Sequence, residues 1–306
     1  MIVKPIKCKI MKKSIFLAVV ASAVLFFGCE EEETKDKGLL TEEEEAVILE
    51  DAASDNVIEA MDYEVDYYTS SSQIINQINN GGKKNSQWLR WRYVDGEGPA
   101  VTVDPLGRAY PKTITIDYGN GIDLVNGRTI SGKIIIDVSA RPLTHGATRE
   151  ATYESFYVDS VHIEGVATRS FGRKDSTERI FSNVSNLSLT FPDSTVLQRN
   201  SERTRTLVEG FETPFRHGDD VIMIEGYVDY ETSNGTTFSK TIIHPLTKTG
   251  ACRFIIEGTV TFTRNEENFA ELDYGNGTCD DVATITKDGE TRQITIGRRL
   301  RRIWRR

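Results

Sequence analysis

The sequence predicts a mainly β protein, a large curved antiparallel meander (a sandwich or an open half-barrel) preceded by a short acidic helical stalk. Three observations carry this. From Gln87 onward the chain is a succession of short runs in which apolar and polar residues alternate, rich in Thr, Val, Ile, Tyr and Phe and separated by Gly, Asn, Asp and Pro. Within these runs Ile-Glu-Gly recurs at 163–165, 224–226 and 256–258, and glycine inside a strand marks a bend or a close approach of another chain segment. Upstream, one segment has a helical period and a heavy excess of acids.

Taken in order, the elements begin with an export signal. "MKKSIFLAVVASAVLFFGC" has two lysines, an apolar run from Ile15 to Phe27, and a cysteine after Gly28. That is the layout of a secretory signal ending at a lipidated cysteine, with Met11 as a credible start. The apolar run is too short to be a permanent span. Residues 1–28 are therefore expected to be a lipoprotein signal peptide and Cys29 the lipidated residue, a membrane partner through its anchor.

The formal charge is −9, unevenly spread: residues 1–29 hold five lysines and no acids, and residues 30–66 hold 16 acids and two lysines. Residues 67–306 are then neutral, and the acidity belongs to the segment beside the anchor. Residues 29–86 read as a solvated, self-repelling stalk with one helix and a linker. Thr41 and Glu44 stand at capping-box spacing, and Ala46, Val47, Leu49, Ala53, Val57, Ile58 and Met61 follow at near-helical intervals.

Residues 87–306 form the β domain, with two similar halves as a candidate subdivision. Asn234-Gly235 between alternating runs predicts a hairpin. Cys252 and Cys279 lie about equally far from a turn near Glu266 and Glu267, so antiparallel pairing brings them opposite and predicts a disulfide worth about 3 kcal/mol. DYGNG occurs at 117–121 and 273–277. Calcium ligation through Asp117, Asn120 and Asp123 is one reading, but glycines occupy the third and fifth positions. A turn explains each residue: Asp caps a strand end, Tyr covers the sheet, and Gly-Asn-Gly supplies unusual backbone angles.

Chemistry is sparse. GRTISGKI, 127–134, nearly matches a phosphate-binding loop but runs into a strand, where that motif needs a helix. Four histidines are scattered, and His217 with Asp219 or Asp220 is the one candidate base cluster. Trp88 and Trp91, beside Arg90 and Arg92, make a candidate platform for stacking a sugar. Six arginines among the last nine residues could hold phosphates or the acidic segment. The expectation is a non-catalytic domain with no cofactor, metal or nucleic-acid partner, serving envelope structure or recognition of a glycan or an envelope protein. The alternative is a carrier or binder of a lipid or other apolar ligand, held on an apolar concave face.

CEEEETKDK after the anchor resembles the start of Bacteroidota surface lipoproteins, in which an acidic cluster directs export to the outer face. "CRFIIEGTVTFTRN", "AELDYGNGTCDDVATITKDG" and "ITIDYGNG" with "NGRTISGKIII" resemble an uncharacterised surface lipoprotein family of Bacteroidota with repeated DYGNG-type hairpin loops. That likeness covers the signal, the stalk and most of the β region. In that family the first loop often carries a cysteine, whereas this chain reads GIDLVNG. The resemblance implies an outer-membrane location facing the cell exterior and brings no activity with it. It also implies O-glycosylation at Asp-Ser/Thr triplets, of which Ser176 and Ser194 have turn-like, exposed contexts, while Ser160 runs into a strand and is expected to be buried.

Overall fold

Thr41 and Glu44 close a capping box that starts the helix: Thr41 N–H donates to Glu44 Oε2 at 2.8 Å and Glu44 N–H donates to Thr41 Oγ1 at 3.2 Å. The computed structural model describes residues 40–69, 92–95, 98–141, 143–173, 179–213 and 217–296. Helix α1 runs Glu42–Thr69, 28 residues, with four glutamates in its first turn, where they complement the helix dipole. Among the described residues it is the single α-helix.

Among the described residues the regular structure after it is antiparallel sheet, apart from one 3-10 turn at His217–Asp219. The strands are β1 (Ala100–Asp104), β2 (Lys112–Asp117), β3 (Ile122–Asp123), β4 (Thr129–Val138), β5 (Thr148–Val158), β6 (Val161–Arg173) and β7 (Arg179–Thr190). They continue with β8 (Val196–Glu209), β9 (Val221–Thr232), β10 (Thr237–Thr249), β11 (Ile255–Arg264), β12 (Glu267–Asn276), β13 (Val282–Lys287) and β14 (Glu290–Thr295). Each pairs with its neighbour in sequence, except that the two-residue β3 lies off the path and β2 pairs β4. The result is one open sheet of 14 strands, the half-barrel alternative of the two the sequence allowed.

The curvature has a local cause. Gly165 and Gly226 take φ of 114° and 122°, and a Cβ on either would stand 2.2 Å from a carbonyl oxygen of the adjacent strand, Asn186 or Glu202. Only glycine lets the strands approach that closely while bending. Register shifts in β4–β5, β5–β6, β8–β9, β9–β10, β10–β11 and β11–β12 add bulges, which increase twist and bend.

The sheet bends around α1. Asp55 and Asn56 are adjacent in the helix, yet Asp55 pairs with Lys240 of β10 while the Asn56 carbonyl accepts from Arg128 at the start of β4. In a flat sheet those strands, six places apart, would be separated by about 29 Å. Val47, Ile48, Ala52, Val57, Met61 and Val65 join one core with the inner face of the sheet, including Ile114, Ile136, Phe156, Leu189, Val228 and Phe262.

The acidic helix is thus a correction to the stalk reading. Glu50, Asp51, Asp55, Glu59 and Glu64 are buried with it. These five charges are not solvated, because the fold supplies partners that were not evident beside them in sequence.

The turns follow the expected chemistry, with one correction. Asp117 Oδ1 accepts from Gly119 N–H at 2.9 Å, so the first DYGNG copy is a side-chain-capped turn after β2. In the second, Asp273 Oδ1 accepts from Gly275 N–H at 2.8 Å, but the chain stays in β12 as far as Asn276, bulged against β11, so the turn reading is corrected there. Tyr118 and Tyr274 are both buried. GRTISGKI does enter a strand, β4. Asn265 and Glu266 turn the β11–β12 hairpin at positive φ, and Cys252 and Cys279 are bonded beyond its open end.

Candidate functional site

Helix α1 carries Asp51, Asp55, Glu59, Asp62 and Asp66 at spacings of four, four, three and four residues, which places them along one face. The inner face of the sheet answers with cations. Lys240 Nζ stands 2.5 Å from both Asp51 Oδ1 and Asp55 Oδ2. Arg203 and Arg199 of β8 donate to Asp55 Oδ1, the latter at 3.3 Å. Arg205 forks onto Glu59, with Nη1 2.6 Å from Oε1 and Nη2 2.8 Å from Oε2. Arg169 Nη2 lies 3.2 Å from Asp62, and Arg149 and Arg169 both donate to Asp66 Oδ1.

Arg199, Arg203 and Arg205 reach the helix together because alternate residues of a strand share one face. On the opposite flank buried Glu64 accepts from Tyr118 at 2.6 Å, from Tyr93 at 3.2 Å and from Arg92. The tyrosine of the first DYGNG copy therefore helps satisfy a buried carboxylate, a role that covering the sheet did not anticipate.

These contacts set the protonation states. Burial favours neutral acids, but Arg203, Lys240 and Arg199 hold Asp55 far below the carboxylate range, Arg205 lowers Glu59, and Arg149 with Arg169 hold Asp66 far below it. Burial pushes the Asp51 carboxyl up, more than Lys240 pulls it down. Burial would discharge Lys240 as well, but Asp51 and Asp55 raise it. The seam is thus largely ionised, with Asp51 its most readily protonated member.

Two clefts flank the C-terminal half of α1. One, about 120 Å³, has an apolar wall of Val138, Phe171, Phe181, Leu207 and Ile222 on the inner face of the sheet, with Arg149, Arg169, Arg179 and Arg205 in the same cleft. The other, about 260 Å³, carries more charged side chains and lies between α1, the turn 124–128 and the segment 248–253. Asp66, Arg205, Asp220 and Ile222 line both. The concave face is not the empty apolar trough expected of a carrier: the helix fills it, and the space left is apolar on one side of the helix and cationic on the other.

Of the residues singled out from the sequence, Cys29, Trp88, Trp91 and Ser176 lie outside the described residues, as does the arginine-rich end. Cys252 and Cys279 form the disulfide, with Cα atoms 5.8 Å apart. Ser194 is exposed in the β7–β8 turn, where Asp193 Oδ1 accepts from Thr195 N–H at 3.1 Å. Ser160 is exposed at the β5–β6 turn, contrary to expectation, while its neighbour Asp159 is buried against Arg128. Residues 217–219 form a single 3-10 turn in which Asp219 accepts from Thr213 Oγ1 at 2.7 Å, and Asp220 lines the clefts. Among the described residues no three His, Cys, Asp or Glu side chains cluster as metal ligands.

The clefts themselves were not anticipated. Arg205 of β8 is the one member of the alternating Arg199, Arg203 and Arg205 set that lines them. Comparison of the chain with protein-family models, curated proteins and solved structures finds no match.

Proposed function

We propose that this protein is a lipid-anchored envelope protein of the outer membrane, exposed on the cell exterior, whose helix-filled half-barrel is a non-catalytic binding module for an amphipathic anion. The observation that carries the reading is the smaller cleft. Phe171, Phe181 and Leu207 offer a wall for an acyl chain, and Arg149 and Arg179 stand where a carboxylate or phosphate head would meet them. Burial lowers Arg149, with Arg169 beside it adding to the effect against Asp66, so an anion there would relieve crowded positive charge. Recognition of a glycan through Trp88 and Trp91, or of an envelope protein, has no comparable support from the described residues.

One purification tests both parts. The wild-type protein, isolated from its own envelope and sprayed under native conditions, should carry lipidated mass and a further non-covalent lipid. Leu207→Glu should lose the non-covalent lipid and keep the anchor, whereas Cys29→Ser should lose the anchor alone. A control on the convex face, Val184→Glu, should keep both. The binding role fails if no lipid is retained or if Leu207→Glu retains it, and the anchoring role fails if Cys29→Ser still takes up fatty acid.

A further inference from the structure

The larger cleft has an excess of positive charge that the seam does not use. Five cations line it: Arg92, Arg128, Arg205, Lys248 and Arg253. Three are committed, Arg92 to Glu64, Arg128 to Asp159 and Arg205 to Glu59. Lys248 and Arg253 are not: among the described residues neither has a carboxylate at ion-pair distance. Lys248 Nζ instead donates to two backbone carbonyls, Thr249 and Cys252, which leaves one of its three N–H bonds for a ligand. Of the acids on the same wall, Glu59, Glu64 and Asp66 are engaged by Arg205, Arg92 and the Arg149–Arg169 pair, and Asp220 stands at the junction with the apolar cleft.

We infer that this cleft is an oxyanion site for a phosphate or sulfate group, gripped by Lys248 and Arg253 and backed by Arg128 and Arg205. Lys248 is half-buried and Arg253 exposed; positive charge crowded together without a counter-charge is unfavourable, and a tetrahedral oxyanion is a small ligand that accepts several N–H donors at once. Burial and the crowding of these cations lower the affinity of Lys248 and Arg128 for protons. Burial pushes the Lys248 ammonium down to about 8, with Arg128, Arg205 and Arg253 adding to the effect against Glu59. Burial lowers Arg128 too, and Arg253 contributes although Asp159 opposes it.

The segment that presents these groups is fixed. Cys252 is tied to Cys279, and Gly250 N–H donates to the Asp220 carbonyl at 3.0 Å. The site is therefore held open by covalent and backbone bonds, independently of the ligand.

The phosphate chemistry has two sources, a free ion or the head of a lipid. Because the two clefts adjoin, a lipid phosphate here would place its acyl chain against Leu207; that extension rests on the proposed function, while the oxyanion site does not. The test is calorimetric titration of the full chain with inorganic phosphate and, separately, with dihexanoyl phosphatidic acid. Phosphate should bind saturably, and Lys248→Gln and Arg253→Gln should each weaken it by about tenfold or more. Arg253 is exposed, so its substitution reads binding without a folding cost. Val184→Glu, on the convex face, should leave phosphate binding unchanged. Tighter binding of the phosphatidic acid, lost in Leu207→Glu, identifies a lipid head; equal binding of both identifies a free ion, and either result supports the site. Absence of saturable binding by both probes, or binding indifferent to both cation substitutions, overturns it.

Discussion

Asp55 is an ionised carboxylate only 2% exposed, and it persists there because Lys240, Arg199 and Arg203 surround it. Two charges cost several kcal/mol each to desolvate, so such a pair is tolerated when well matched and penalised when half of it is removed. Asp55→Ala leaves three buried cations with Asp51, which burial already pushes toward its neutral form, and with Glu59, which stands 3.7 Å from Arg203 but is held by Arg205. The substitution should cost about 3–5 kcal/mol of unfolding free energy in a urea titration. In a Lys240→Met background the same substitution should cost clearly less, because one stranded charge is gone. A single-mutant loss under about 1 kcal/mol would mean that the helix and sheet do not meet through this seam.

At the scale of the elements, α1 and the bent strands were legible to different depths. Thr41 and Glu44 gave the start of the helix, and the apolar spacing of Val47, Val57 and Met61 gave one buried face; both depend on residues within a few positions. The acids at 51, 55, 59, 62 and 66 were equally visible but were assigned to solvent, because a charge run usually faces water. Their partners lie more than 80 residues away, from Arg149 to Lys240, and no local pattern announces that the two sets meet. The spacing of Arg199, Arg203 and Arg205 puts them on one face of β8, and nothing local to them says that this face is inside. The glycines were read more fully, since a bend is a local property. Gly226→Ala tests that reading: its Cβ would press on the Glu202 carbonyl, and its φ is strained for alanine. The cost should exceed about 1 kcal/mol in thermal melts, with β8 and β9 amides losing hydrogen-exchange protection before the rest. Equal protection and an unchanged melt would place the bend elsewhere.

For the whole molecule, the sheet is local and the helix is not. Nearly every strand pairs with its sequence neighbour, so the meander can form hairpin by hairpin, whereas the contacts of α1 span the chain, Glu44 reaching Lys287 and Glu45 reaching Arg292. Closure of the half-barrel around its helix is therefore the step in which the charged seam acts, and pH reports on it. Asp55, Glu59 and Asp66 have lowered folded-state pKa values, so each contributes stability that is fully present above its unfolded value, about 3.9–4.3, and is lost as pH falls through the folded value. Asp51, raised by burial, has the opposite sign and favours the folded state on the acid side of its range, offsetting part of that loss. As pH falls from 7 the profile should hold or rise slightly while Asp51 takes up its proton, and then fall below about 4, with near-ultraviolet circular dichroism from Tyr93 and Tyr118 lost as the helix leaves the sheet. Because the pairs are buried, about 1 M salt at pH 7 should leave that signal intact, although it screens exposed charges more than about 3 Å apart. Loss of the tyrosine signal in salt alone, or an acid transition centred above pH 5, would show that the acids of α1 face water and that the helix is not the core of this sheet.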